Sequence, residues 1–217
     1  QRWGALTNVR EPREARGPFP KSRGDVVANY LTRGAREDDL DAYDALNVLF
    51  GSADRVEYRT NRRTRRAEDA APNDVHCVSN GGLDSEWGKA ERGKALFRRV
   101  LDDDPNGDEA LARRLMADVL FDDARCEPAT DTGCDAGFEE LFAFIKVPLT
   151  LGLDAARPYG TRTATVILVR HDEKVTYLER HLLPTEGTQG NQVVVGSSSF
   201  EWSAPALHTF TPSPPFP

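Results

Sequence analysis

Residues 157–183 read RPYGTRTATVILVRHDEKVTYLERHLL, and this run constrains the fold more than any other part of the chain. Thr163, Thr165, Ile167 and Val169 alternate with Ala164, Val166 and Leu168. A period of two belongs to a strand, because successive side chains there point to opposite faces. HDEK supplies a turn and VTYLERHLL returns, which gives one long antiparallel hairpin. The alternation accounts for Ile167 and Val169 and leaves Arg162, at the mouth of the first strand, unexplained.

The same reasoning orders the rest. In RWGALTNV, Trp3, Ala5, Thr7 and Val9 share one side and Gly4, Leu6 and Asn8 the other, so a strand is predicted at the start. EPREARGPFPKSRG is a loop by its proline and glycine content. Ser22 followed by Asp25 resembles a capping box before a helix over DVVANYLTRG. That helix is expected to bury Val27, Tyr30 and Leu31 and to stop at Gly34. DDLDAYDAL reads as a second short helix with acidic residues at its start. LNVLFG and RVEYRT read as a hairpin joined by SADR, and DVHCVSNGG as a strand running into a turn.

Two further helices are expected, over SEWGKAERGKALFRRVL and GDEALARRLMADVLFDD. The first would bury Ala90, Phe97 and Leu101, and the second Leu111, Leu115, Met116 and Val119. FAFIKVPL reads as a short strand. After Pro184 the chain turns rich in glycine, serine and proline, and TPSPPFP reads as an extended tail. Strands and helices do not alternate regularly, so the order fits an α+β or layered architecture and not a parallel α/β fold.

Composition narrows the function classes. A net charge of −7 over 217 residues argues against a general nucleic-acid binder. The cluster Arg59, Arg62, Arg63, Arg65 and Arg66 has no interleaved aromatics, so a solvated turn is favoured over a phosphate site. No apolar run of eighteen residues is present, so no membrane span is expected. Cys77, Cys126 and Cys134 are too few for a disulfide scaffold and read as plain thiols, with pairing or ligation of Cys126 and Cys134 as the alternative.

The usual catalytic signatures are missing: GxGxxG, the phosphate-binding GxxxxGK[ST], HExxH, G-x-S-x-G and CxxC. His76, His171, His181 and His208 are not at ligand spacing. His76 and Cys77 are adjacent in a strand, where neighbours face opposite ways. Three polar residues at strand mouths remain as candidates: Asn8, Asn80 and Arg162. An asparagine amide can donate to a developing oxyanion, and an arginine can hold a carboxylate through two bonds.

Tyr159, Gly160, Thr161, Arg162 and Thr165, followed by a hydrophobic hairpin ending near Glu179-Arg180, resemble the C-terminal signature of the transport and Golgi organisation family, also called the NRDE family. The resemblance continues through GALTNVREP, SRGDVVANYL, DALNVLFG, EYRTNR and VSNGGLDSEWGKAERGK. The last is usually closer to Ser-Asn-Ala followed by Pro-Trp, and this chain carries Gly81 and Glu86 there.

The resemblance implies an α+β fold of the N-terminal nucleophile hydrolase kind, a four-layer αββα sandwich, here without its first strands. It implies a single domain over residues 1–183 and an extended segment over 184–217. In relatives of that fold class an N-terminal cysteine is the nucleophile, and its α-amine, with a pKa of about 8, is the base. Asn8 and Asn80 would then be oxyanion or orienting donors. Arg162 would lie near the nucleophile or hold a substrate carboxylate. The family's Met-Cys opening and its Asn-Arg-Asp-Glu are not in this chain, so an N-terminally truncated member without the reacting atom is expected.

At family level the resemblance implies a role in intracellular transport, Golgi organisation or the handling of haem and other metabolites. A cysteine-dependent C–N hydrolase and a non-catalytic interaction protein with a vestigial site are the alternatives. No cofactor is required for catalysis, and haem enters as cargo. A small molecule or haem, no nucleic acid, and peripheral association with membranes are the expected partners. The expected setting is cytoplasmic, with Golgi or mitochondrial association.

Overall fold

The computed structural model describes residues 2–12, 17, 21–34, 39–52, 55–62, 68–71, 73–103, 105–149, 159–172, 174–184 and 192–203. The fold is α+β, with helices set beside antiparallel sheets. The chain divides into two compact units, Gln1–Arg99 with Asp122–Val147, and Val100–Phe121 with Pro148–Pro217. Among the described residues no helix is long and apolar enough to cross a membrane.

The first unit holds a sheet of order β1-β2-β3-β4, from Trp3–Asn8, Leu46–Gly51, Val56–Thr60 and Glu68–Asp69. All three pairings are antiparallel. The expected first strand and the LNVLFG/RVEYRT hairpin are both present. Helix α1, Gly24–Arg33, lies on one face of this sheet. Val26 and Tyr30 from the helix pack with Leu40, Tyr43, Leu46, Val48 and Phe50 into one buried cluster. The Tyr30 and Phe50 rings meet at 4.7 Å, and the Tyr30 hydroxyl donates to the Gly51 carbonyl at 3.1 Å. Burying the ring thus leaves no polar atom stranded.

The expected face of α1 is corrected by one position. Val26 and Tyr30 are buried, Val27 is partly buried against Gly4, and Leu31 is exposed. No capping box forms: the N-cap is Arg23, whose side chain does not cap the helix, and Ser22 contributes its backbone carbonyl to Asp25 N. Gly34 does end the helix, in the left-handed region at φ 68°, as a glycine can without strain.

The helix expected over DDLDAYDAL does not form in its described part. Asn61, buried on the far side of the hairpin, takes the backbone groups a helix would need. Its amide donates to Leu40 O at 2.9 Å and Tyr43 O at 3.0 Å, and its oxygen accepts from Leu46 N at 3.0 Å. A fixed partner elsewhere in the chain outcompetes a weak local propensity.

Beyond the sheet come the short hairpin β5–β6, Val78–Ser79 and Gly82–Leu83, then α2, Gly88–Asp102, and the short helix α4, Ala136–Glu140. Helix α2 buries Ala90, Leu96 and Val100, whereas Leu101 is exposed, again a one-position shift from the expected stripe. FAFIKVPL is not a strand: the Ala143 carbonyl is taken singly by Cys126 N, and Lys146 N reaches Asp122 O.

The second unit contains helix α3, Asp108–Leu115, continued by a π-helical turn at Met116–Leu120. Of its expected apolar face Leu115, Met116 and Val119 are buried, and Leu111 is partly buried. The helix packs on β7, Thr163–Val169, and β8, Lys174–Pro184. These two strands are the predicted hairpin, and β9, Gln192–Ser203, pairs antiparallel with β8. Ala164 and Val166 are buried on one face, while Ile167 and Val169 are exposed on the other. TPSPPFP, Arg63, Arg65 and Arg66 lie outside the described residues.

Candidate functional site

Strand β2 is apolar except for one residue. Leu46, Val48 and Phe50 face the α1 cluster, so the alternation turns Asn47 to the opposite face. Its lateral neighbours by register are Thr7 on β1 and Thr60 on β3. Asn47 is only 2% exposed, and a buried amide without partners is costly. All its groups are bonded: the amide donates to Thr7 Oγ1 at 3.2 Å and to Ser79 O at 2.8 Å, and Oδ1 accepts from the Tyr58 hydroxyl at 2.8 Å. One side chain thereby fastens the β5–β6 hairpin to the polar face of the sheet.

That face floors a cleft of about 220 Å³ lying within the first unit. Asn47, Tyr58, Thr60 and Arg62 line it from the sheet. Val9, Arg10 and Glu11 line it from the segment after β1, Asn80 to Leu83 from the hairpin, and Asp131 and Thr132 from a loop. Gly81 sits where a Cβ would lie 2.6 Å from Ser85 Cβ and 2.9 Å from the Trp87 ring. An alanine at position 81 would press on both. Gly82 has φ +100°, with the Tyr58 hydroxyl 2.8 Å from where its Cβ would be. Both glycines let the turn close onto the sheet.

The two arginines in the wall are matched. Arg62 pairs with Glu11 through two nitrogens. The Arg10 guanidinium pairs with Glu139, bonds Thr132 Oγ1 at 3.3 Å, and lies 4.1 Å over the Phe142 ring. Glu139 is only 5% exposed. It accepts from Thr130 Oγ1 at 2.6 Å and from Thr132 N at 2.9 Å, and also from the Thr132 hydroxyl. Burial pushes its carboxyl up, but these donors and Arg10 outweigh that and hold it below the usual value. Arg10 N in turn donates to Asn80 Oδ1 at 2.7 Å. With its oxygen taken, Asn80 presents its amide NH2, which has no partner among the described residues.

Behind the hairpin, Asp84 receives His76 Nδ1 at 2.6 Å and Cys77 N at 3.0 Å, with Lys94 Nζ at 3.5 Å. His76 Nε2 faces Ala71 O at 3.0 Å. The Asp84 hydrogen bond raises the His76 pKa. All three cysteines are free thiols, and burial pushes the Cys77 and Cys126 thiols up. No cluster of His, Cys, Asp and Glu among the described residues is suited to a metal ion.

Of the residues singled out from the sequence, Asn80 lines this cleft. Asn8 is exposed and pairs with Leu46, on the sheet face opposite Asn47. Arg162 belongs to the second unit, where it is exposed and its carbonyl accepts from Leu182 N at 2.8 Å. Of the basic cluster, the described Arg59 and Arg62 are paired with Glu57 and Glu11. On the second-unit hairpin, Glu179 accepts from Thr165 Oγ1 at 2.9 Å and Tyr177 Oη at 2.5 Å. Burial and this carboxylate push the tyrosine hydroxyl up to about 12.

Sequence reasoning missed Arg10, Asn47, Tyr58 and Glu139. One signal was available for Asn47, a lone amide inside the apolar run LNVLFG. Nothing local marks the other three.

The family model described as Transport and Golgi organisation 2 matches residues 1–184. The Transport and Golgi organization protein 2 homolog of Bos taurus is 30% identical over 207 residues, covering 85% of this chain and 70% of the relative. The Transport and Golgi organization 2 homolog of Mus musculus is 28% identical over 200 residues, covering 83% and 68%.

Proposed function

We propose, from the premise that this chain belongs to the Transport and Golgi organisation 2 family, that it serves intracellular transport and Golgi organisation by binding a small polar molecule in the first-unit cleft. The observation that carries this reading is Asn80. Its oxygen is held by Arg10 N, which leaves its amide NH2 to meet a ligand oxygen in a polar cleft. Both wall arginines have carboxylate partners, so an uncharged carbonyl compound suits the cleft better than an anion. The N-terminal nucleophile hydrolase fold, cytoplasmic location and Golgi or mitochondrial association belong to the same proposal.

The test is a titration of the 15N-labelled chain with acetamide. It follows the Asn80 side-chain amide signal, identified by its loss in Asn80→Ser. Saturable movement is expected, and a signal that stays fixed to high concentration sinks the reading. For the cellular role, secretion in cells depleted of the family member should recover with the wild-type chain and not with Asn80→Ser.

A second reading is C–N amide hydrolysis, favoured by the same free donor, which suits an oxyanion as well as a ground-state carbonyl. It needs a reactive thiolate, and burial works against one at Cys77 and Cys126. A thiol-trapping acyl-amide probe on the full-length gene product decides it by the presence or absence of a cysteine adduct. Haem as cargo is the remaining reading. Both ring nitrogens of His76 are engaged, so haem would need another ligand. A Soret titration without saturation counts against it.

A further inference from the structure

We propose that Glu139 is a positioning residue for the cleft: acting through Arg10, it sets the direction of the Asn80 amide and the preference for an uncharged ligand. This rests on the reading of the cleft as a small-molecule site.

The chain of contacts is continuous. Glu139 lies at the buried side of α4 and is reached by Thr130, Thr132 and Arg10 together. Those bonds, with the Phe142 ring beneath the guanidinium, fix Arg10 at both ends of its planar group. The same residue carries on its backbone the N–H that holds Asn80 Oδ1, and an anchored guanidinium limits how far that backbone can shift. An amide held by its oxygen has its flip fixed and keeps both N–H bonds of its NH2 for a ligand, so the cleft presents a donor at this point. The carboxylate has a second effect. Arg10 lines the cleft, and its charge would draw anions if Glu139 did not neutralise it. Position and selectivity therefore come from one side chain that does not itself line the cleft.

Acetamide and acetate have nearly the same shape and differ in charge, so they separate the two effects. The readout is the Asn80 side-chain amide signal during titration of the 15N-labelled chain, with sodium chloride matched throughout. In the wild type, acetamide is expected to move the signal at lower concentration than acetate. Glu139→Gln keeps the shape and removes the charge, and should raise the acetate-to-acetamide affinity ratio about fivefold, the difference between a neutral and a charge-assisted hydrogen bond. Glu139→Asp keeps the charge but withdraws it by one methylene. It should shift the unliganded Asn80 signal and weaken acetamide without favouring acetate, and it serves if Glu139→Gln does not fold. If acetamide moves the wild-type signal while both variants keep the wild-type position and ratio, the positioning role is overturned and the cleft reading stands. If neither probe moves the wild-type signal, the cleft reading falls and this inference with it.

Discussion

The Tyr58 hydroxyl donates to Asn47 Oδ1 across 2.8 Å, a buried bond between adjacent strands. This bond joins the strand pair to the hairpin that carries Asn80, because the same Asn47 donates to Ser79 O.

Asn47→Ala leaves the Tyr58 hydroxyl and the Ser79 carbonyl without that partner. We expect a loss of about 2–4 kcal/mol, the scale of a broken buried network. Urea unfolding measures it, and a loss under about 1 kcal/mol would mean the network contributes little to stability.

Gly81→Ala should cost about 1–3 kcal/mol by overpacking against Ser85 and Trp87. Ser85→Gly removes the contacts with Ser85 Cβ at 2.6 Å and Oγ at 2.7 Å, so the double variant should recover part of the loss. Thermal unfolding of the four chains gives the coupling, and strict additivity would exclude the contact as the cause.

Stability should fall on the basic side through His76. Its folded pKa is raised, first by the Asp84 hydrogen bond and against some burial, with Ala71 O and Asp74 adding to the rise. The neighbouring Lys94 is itself held by Asp84 and Glu91. A raised folded value means the contribution is complete below the unfolded value of about 6.5 and is lost as pH climbs through the folded one. An NMR titration of the ring protons should place the midpoint above about 6.5, and His76→Gln should flatten this part of the stability curve.

Glu139 should act on the acid side. Its folded pKa is lowered by Thr130, Thr132 and Arg10 in spite of burial. A lowered value means the contribution is present above the unfolded value of about 4.3 and is lost as pH falls through the folded one. Melting temperatures from neutral to acid pH should drop less steeply in Glu139→Gln than in the wild type. Parallel curves would rule out this carboxylate as a source of acid sensitivity.

Cys77 and Cys126 should alkylate slowly with iodoacetamide at neutral pH, since burial raises both thiols. Mass spectrometry of the labelled peptides checks this. Rapid, selective labelling of Cys77 would contradict this expectation.

Much of the secondary structure was legible because its causes are local. The β7–β8 hairpin followed from period-two alternation around HDEK, and the end of α1 from a glycine that alone takes φ 68° at no cost. What failed did so through distant partners. DDLDAYDAL had helical composition, yet Asn61, fifteen residues beyond Leu46, took the backbone groups of its turn. The buried faces of α1 and α2 were each displaced by one residue at their ends, because the neighbour packed against a helix decides which part of a broad apolar stripe is covered.

By itself, then, the sequence determined the α+β class, the two hairpins, the uncharged stretch of β7 and the family, all properties of short runs of residues or of their order. The tertiary structure decided the cleft. Arg10, Asn47, Asn80 and Glu139 are far apart in the chain, and each is an ordinary polar residue where it stands. They become a site only because a buried amide and a buried carboxylate must be satisfied, and the groups able to satisfy them come from strands and loops that folding brings together.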